Sequence, residues 1–357
     1  MLEDFLTFYK GKRIFITGHT GFVGSWLTKW LIMLGAEVSG YSLEPAYEPN
    51  LYGVLSIEDQ IKHVAGDIRD KASLQDAIKA HSPDIVFHLA AQPIVLDAFE
   101  NPAPTFETNV NGTVYLLDIL RKTQSVKEII VMTSDKTYRN NEWVYPYREI
   151  DPLGGKDPYS ASKSCQDIVV DSFRESYFKG SGLGISSVRA GNIIGGGDWS
   201  PNRILPDLVR GAIENRPVMI RNPDSVRPWQ FILDPLAGIL KLAFKMWEDP
   251  SYSGAWNFGP TEQKAVTVSS LVESFVQHWG LGEYFLNKDD STKESHFLQL
   301  DVSKAMNELG WQQIYNFNEG MKKTVDWYKQ FYSDKSSIDP FTSKQINEYM
   351  LNFRSKK

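Results

Sequence analysis

Residues 13–24 read Arg13-Ile14-Phe15-Ile16-Thr17-Gly18-His19-Thr20-Gly21-Phe22-Val23-Gly24. The first five are an apolar run with β-branched residues, the signature of a short buried strand. Gly18, Gly21 and Gly24 follow at the spacing G-x-x-G-x-x-G. An apolar-periodic segment, Ser25 to Leu34, reads as a helix opening near Phe22, and Glu37 to Tyr41 reads as a second strand. Strand, glycine turn, helix, strand is a βαβ unit. Residues without Cβ let the backbone approach a pyrophosphate, and the first N–H groups of the helix point at it. The turn is therefore expected to hold a dinucleotide.

The alternation continues along the chain. Strands are expected at 63–65, 85–89, 127–133 and 184–189, with helices at 71–80, 105–122 and 159–178. Alternating strands and helices predict α/β class, with a doubly wound parallel Rossmann sheet. From about residue 190 the texture turns to loops rich in Gly, Pro, Arg and Trp, with helical pieces at 203–215, 234–247 and 267–279. Two more, near 302–309 and 318–332, close the chain. The expected division is a dinucleotide-binding domain over 1–190 and a smaller mixed lobe over 191–357, some segments of which return to the main sheet.

Composition narrows the function. A chain of 357 residues with 42% hydrophobic and 23% charged residues is a folded globule and not a disordered segment. Its net charge of −6 argues against a general nucleic-acid binder. The single cysteine, Cys165, excludes an internal disulfide and a cysteine-built zinc site. The six histidines show no metal-ligand spacing, so no metal is expected. No run of about 18 apolar residues is present to span a membrane. Met1-Leu2-Glu3-Asp4-Phe5 lacks the features of a secretion signal, so a cytoplasmic location is expected. Within residues 201–230, Arg203, Arg210, Arg216, Arg221 and Arg227 face Asp207, Glu214 and Asp224, a local excess of 5 − 3 = +2. That stretch is expected to receive an anion. Ten tryptophans also ask for an explanation beyond core filling.

Tyr159 and Lys163 form Tyr-x-x-x-Lys on an expected helix, one turn apart and on one face. An ammonium beside a phenol lowers its pKa, which would make Tyr159 a base near neutral pH. Thr133-Ser134-Asp135-Lys136 follows a strand directly, and ligands of open α/β sheets bind at the carboxyl ends of strands. A hydroxyl there is placed to polarise a substrate alcohol. Ser42 closes the second strand, where a ribose is held. Glu44 reads as a solvated carboxylate. No Arg or Lys stands after that strand to bind a 2′-phosphate, which favours NAD over NADP. Asp67 follows the third strand and is expected to meet the adenine amine. Arg203 and Arg227 are candidates for a diphosphate, since guanidinium binds phosphate bidentately. Cys165 reads as buried filler and His88 as a satisfied core histidine.

Together these residues resemble the extended short-chain dehydrogenase/reductase family over almost the whole chain. The resemblance rests on Gly18/Gly21/Gly24, Asp67-Ile68, Leu89-Ala90-Ala91-Gln92, Asn109, Thr133-Ser134, Tyr159 and Lys163. Within that family the chain is similar to the nucleotide-sugar 4,6-dehydratases that take CDP-glucose. That narrower likeness is carried by Thr133–Lys136, Arg189-Ala190-Gly191-Asn192, Gly195–Trp199, Arg221-Asn222-Pro223, Arg227–Gln230, Trp256–Pro260 and Leu300-Asp301. It departs from that pattern at Thr137, where Cys is usual, at Asn202, where Asp is usual, and over Leu96–Phe99.

The resemblance implies that NAD lies along Gly18, Thr20, Gly21, Phe22, Val23, Gly24, Ser42, Asp67, Ile68, Leu89, Ala90, Ala91, Gln92, Asn109, Tyr159 and Lys163. It implies a nucleotide sugar held by Ser134, Asn192, Arg203, Arg227, Trp229 and His296. The catalytic set would be Thr133, Asp135, Lys136, Tyr159 and Lys163. The implied reaction is loss of water by internal redox: oxidation at C4, removal of the C5 proton, departure of the 6-hydroxyl and reduction at C6. Asp135 would be the acid for that hydroxyl, and Lys136 either the C5 base or the cation that stabilises the enolate. A homodimer paired through the helices at 102–123 and 158–179 is implied, with no nucleic-acid or membrane partner. The competing readings are a nucleotide-sugar epimerase, which would not need Asp135-Lys136, and a non-catalytic NAD(H)-binding protein on the same scaffold.

Overall fold

The computed structural model describes residues 5, 7–262, 266–280, 282–287 and 297–355. Through residue 190 the chain forms β1 (Arg13–Thr17), α1 (Phe22–Met33), β2 (Glu37–Ser42), β3 (Lys62–Ala65), α2 (Lys71–His81), β4 (Ile85–His88), α3 (Gly112–Leu120), β5 (Glu128–Met132), α4 (Pro158–Phe173) and β6 (Gly184–Ala190). Beyond it come β7 (Ile193–Ile194), α5 (Ile204–Glu214), β8 (Val218–Arg221), β9 (Gln230–Phe231), α6 (Leu233–Glu248), β10 (Gly254–Phe258), α7 (Val268–Trp279), β11 (Tyr284–Asn287), α8 (Phe317–Ser333) and α9 (Ile338–Ser355).

The main sheet has seven parallel strands in the order β10-β6-β5-β4-β1-β2-β3. This is the doubly wound order, and it reverses direction between β1 and β4. Alternate residues of each strand serve opposite faces. Ile14, Ile16, Ile85, Phe87, Ile130 and Val188 pack with Trp26 and Trp30 of α1 and Leu240 of α6. Phe15, Val86, Ile129, Val131 and Ile185 pack with Leu74 of α2, Leu116 of α3 and Val170 of α4. Burial on both faces explains why these strands read as unbroken Ile/Val/Phe runs.

Residues past 190 return to this sheet, because β10 pairs with β6 as the edge strand. The rest of the second half forms two small parallel pairs, β7 with β9 and β8 with β11, with α5 and α7 beside them. The chain does not end at the helix expected near 318–332. It continues into α9, whose Tyr349 ring meets Trp30 of α1 edge-on at 5.6 Å and whose Asp339 pairs with Lys29 at 2.6 Å. No helix among the described residues is long and apolar enough to cross a membrane.

The tryptophan surplus has a packing answer. Trp26, Trp30, Trp256, Trp311 and Trp327 are among the largest fully buried side chains. Trp199 packs on Phe331 and Trp327 of α8 at ring separations of 4.9 and 5.7 Å.

Glu128, at the start of β5, is fully buried, and neither carboxylate oxygen has a hydrogen-bond partner. Burial holds its pKa well above the ordinary value, against the opposing pull of Lys12 and Lys127. A folded pKa above the unfolded one means that stability is lost as pH rises. Glu128→Gln is therefore expected to gain stability relative to the parent between about pH 5 and about pH 8, by at most about 1.4 kcal/mol per unit. Urea unfolding at both pH values checks this. A difference that does not change with pH would contradict a neutral buried carboxyl.

Candidate active site

Three loops meet at the carboxyl ends of the central strands: Gly18–Gly24 after β1, Leu89–Gln92 after β4 and Thr133–Lys136 after β5. They border the point where strand order reverses, where such sheets take ligands.

The glycine turn is built for close approach. Gly18 has φ +78°, and a Cβ there would lie 2.6 Å from the Ala90 nitrogen. A Cβ on Gly24 would lie 2.1 Å from the Gly18 carbonyl oxygen. A Cβ on Gly21 would meet only that same oxygen, at 3.4 Å, so its other side faces open space. Gly21 caps α1 without a side-chain hydrogen bond, leaving the first-turn N–H groups to a ligand. Thr20 Oγ1 ties the turn to the end of β2 through Ser42 Oγ at 2.8 Å and the Leu43 carbonyl at 2.9 Å. The cradle fits a dinucleotide pyrophosphate. The Glu44 side chain is 70% exposed and lies 3.5 Å from His63.

Two residues expected to touch the cofactor are engaged within the protein. The Asp67 carboxylate accepts from the Arg69 backbone at 2.9 Å and from its Nη2 at 2.6 Å, and the Arg69 side chain holds its pKa below the usual range. Asn109 is fully buried. Its Oδ1 accepts from Gln92 N at 2.8 Å, and its Nδ2 donates to Gln92 O at 3.2 Å and Ser162 Oγ at 2.9 Å. Both amide protons are used, so Asn109 clasps the Leu89–Gln92 loop to α4. Ile68 is buried against Gly112, while Phe22 and Val23 are half-buried in the first turn of α1.

Tyr159 and Lys163 occupy the first two turns of α4, which Asp157 caps by accepting from Ser160 N at 2.9 Å. Both are buried. Burial pushes the Tyr159 phenol up to about 12; Ser134 and Arg203 pull it down, and Asp135 adds to the rise. The side chains that act most strongly on this phenol are Ser134, Asp135, Arg203 and Asp157. Lys163 Nζ donates to Gln166 Oε1 at 2.9 Å and lies 3.5 Å from the Met132 carbonyl. Burial brings Lys163 down to about 8, opposed by the charge of Asp167.

Ser134 caps a short turn over Asp135–Thr137, accepting from Lys136 N. Its hydroxyl donates to Asp135 Oδ1 at 3.0 Å, while Asp135 Oδ2 is buried with no partner. Burial raises the Asp135 pKa against the opposing Lys136, Ser134 and Arg227. Thr133, the other candidate hydroxyl, donates to the Val188 carbonyl at 3.2 Å, so Ser134 is the hydroxyl beside Tyr159.

The arginine-rich stretch is more neutral than its composition implied. Arg210 pairs with Asp207, Arg216 with Glu214, and Arg203 with Asp198 at 3.0 Å. Asp198 lies just outside the counted window. Arg203 acts on Tyr159 and Arg227 on Asp135, so both arginines lie near these buried groups. Trp229 is buried beside Arg227, and its indole N–H has no partner. The Asn192 carbonyl accepts from Gln230 N at 2.9 Å. His296 lies outside the described residues. The residue missed from sequence is Gln166. Its only signal was its place three residues beyond Lys163, on the same helix face.

Residues 15–324 match the family model of GDP-mannose 4,6 dehydratase, and the chain belongs to that family. It is 43% identical over 350 residues to a CDP-glucose 4,6-dehydratase of Salmonella typhimurium, covering 96% of this chain and 97% of that one. A dTDP-glucose 4,6-dehydratase of Xanthomonas campestris is 26% identical, covering 88% and 92%. Among solved structures, a dTDP-glucose 4,6-dehydratase of Streptomyces venezuelae with NAD and TYD bound has a TM-score of 0.78 at 22% identity, covering 92% of this chain and 99% of that one. That likeness is one of fold.

The open side of Gly21 gives a test. Gly21→Ala is expected to melt within about 2 °C of the parent, because its methyl meets no crowding. Its dinucleotide Kd is expected to rise about tenfold or more, which is about 1.4 kcal/mol. Thermal melts and dinucleotide titration read the two effects separately, and unchanged binding would place the ligand elsewhere.

Proposed function

We propose that this protein is an NAD-dependent nucleotide-sugar 4,6-dehydratase, a hydro-lyase converting CDP-glucose to CDP-4-keto-6-deoxyglucose and water. Asp135 carries the reading: it is a buried carboxyl with one oxygen unpartnered and a raised pKa, beside the Tyr159 phenol. An epimerase has no leaving hydroxyl to protonate and no use for such an acid. The choice of CDP rests on the 43% identity to the Salmonella enzyme. NAD is favoured by the glycine cradle, by the missing cation after β2 and by the NAD-bound relative.

The turn from Gly18 to Gly24 would hold the pyrophosphate of NAD, with Ser42 and Lys163 at its two riboses. Bound there, NAD⁺ supplies a two-electron acceptor for C4 of the sugar and returns the same electrons to C6. The residues of the chain handle the protons. Tyr159, with Ser134 beside it, takes the proton of the 4-hydroxyl. The resulting 4-ketone acidifies the C5 proton. Lys136 serves that proton, either as its base or as the cation that holds the enolate. Burial shifts the Asp135 carboxyl toward its protonated form, which suits it to give a proton to the departing 6-hydroxyl. Arg203 and Arg227 bind the diphosphate.

Residues 1–190 would then hold mainly the cofactor and 191–357 mainly the sugar nucleotide. Exposed Ile168 on α4 and Tyr177 just beyond it support a homodimer paired through that helix. A cytoplasmic location belongs to the same proposal.

Incubation with CDP-, dTDP-, UDP- and GDP-glucose, read by mass spectrometry, tests the function. CDP-glucose is expected to lose the mass of one water; an unchanged mass with an inverted centre would identify an epimerase. Asp135→Asn is expected to lower turnover by about 10²–10⁴-fold while still forming the 4-keto, 6-hydroxy sugar. Normal turnover in that variant would refute the role of Asp135.

A further inference from the structure

The mechanism above uses Lys163 but does not say what holds its ammonium. The answer lies in a buried hydrogen-bond chain. Gln166 is fully buried, and its Oε1 accepts from Lys163 Nζ at 2.9 Å. Its Nε2 donates to Thr113 Oγ1 on α3 at 2.9 Å. Thr113 gives its only hydroxyl proton to the Asn109 carbonyl at 2.8 Å. Its oxygen therefore only accepts from its other neighbours. His88 Nε2, 2.9 Å away, must then carry the ring proton and donate to it. His88 Nδ1 accepts from Thr17 Oγ1 at 2.6 Å, and Thr17 Oγ1 in turn accepts from Ala90 N at 3.3 Å. His88 stays neutral, since burial and then the charge of Lys163 bring it down to about 3.

One assignment of protons satisfies every member of this chain. It also locks the Gln166 amide. A flipped amide would set its oxygen against the Thr113 lone pairs and its NH₂ against the Lys163 ammonium, two repulsive contacts in a dry interior. The chain cannot conduct a proton through the amide, so it transmits orientation only.

We infer that Gln166 is the positioning residue of Lys163: its amide oxygen, oriented by Thr113 and His88, fixes where the ammonium sits relative to Tyr159. The inference rests on the Tyr159/Lys163 chemistry proposed above. The titratable groups facing Lys163 are Asp167 on its own helix, one turn on, and His88 from β4, with Tyr159 one turn before it on the same helix. Asp135 and Arg203 face the Tyr159 end.

The test reads Lys163 directly, in the full-length chain without ligand. With ¹³C-labelled lysine, the Cε resonance lost in Lys163→Ala gives the titration midpoint of that residue. Gln166→Leu removes the acceptor and is expected to move the midpoint to lower pH, by about one unit. Gln166→Glu puts an anion in the same place and is expected to move it to higher pH. The alkaline limb of the kcat/KM profile for the sugar nucleotide is expected to shift with each midpoint. A purely structural role would lower the rate equally at every pH. If both variants leave the midpoint in place, or both move it the same way, the inference is overturned. If Gln166→Leu does not fold, the direction of Gln166→Glu decides alone. Because the titration needs no substrate, expected midpoints without any sugar turnover would refute the dehydratase reading and leave the role of Gln166 standing.

Discussion

The missing side chain of Gly18 is the constraint on which the rest of the site is built. β1 and β4 are neighbours in the sheet, and their loops must pass each other at the point where strand order reverses. A Cβ on Gly18 would stand 2.8 Å from the Leu89 carbonyl carbon, so only glycine lets the two loops close. Closure brings Ala90 N to Thr17 Oγ1 and leads into the Leu89–Gln92 loop. Gln92 is clasped by Asn109, Asn109 reaches Ser162, and Ser162 Oγ donates to the Tyr159 carbonyl at 2.7 Å. The phosphate cradle and the helix that bears the phenol are thus parts of one hydrogen-bonded frame.

Electrostatics in that frame share a direction. Burial drives Tyr159 up, Asp135 up and Lys163 down, each toward its neutral form. Arg203 and Arg227 are the positive groups that act on Tyr159 and Asp135. A buried pair of a different kind lies one turn further along α4: Arg189 and Asp167, both nearly inaccessible, meet at 3.2 Å, with Thr137 also donating to Asp167. Such a pair is destabilising to break, because either half alone is an uncompensated charge. It docks α4 on β6 one turn beyond Lys163, on the same face of the helix.

The sheet was legible because its strands are buried on both faces and its first turn carries glycines at a forced spacing. Tyr159 and Lys163 were legible because a helix converts a four-residue spacing into one face. The choice between Thr133 and Ser134 was not legible: adjacent residues differ only in which way the chain turns them, and Val188 takes one of them. Gln166 was hidden because its partners, Thr113 and His88, are distant in sequence. α9 was missed because its buried stripe is chemically mixed. Ile338, Thr342, Gln345, Ile346 and Tyr349 hold helical spacing, but two of the five are polar. Thr342 answers the Trp327 indole at 2.8 Å, and Gln345 donates to the Lys323 carbonyl at 2.9 Å. The charge count over 201–230 could not show the Arg203 pairing, because Asp198 lies outside the window.

The closure of α9 on α1 bears on how the chain is made. α1 lies within residues 22–33, yet its Trp30 takes an edge-on contact from Tyr349, and the sheet edge at β6 is paired by β10. Ribosomal synthesis proceeds from the amino end at about 5–20 residues per second. For most of that time the nascent glycine turn sits on a sheet with an uncovered apolar flank and an open edge. The first strands and α1 thus depend for part of their packing on segments made more than a hundred residues later, β10 at the sheet edge by way of β6 and α9 on the flank.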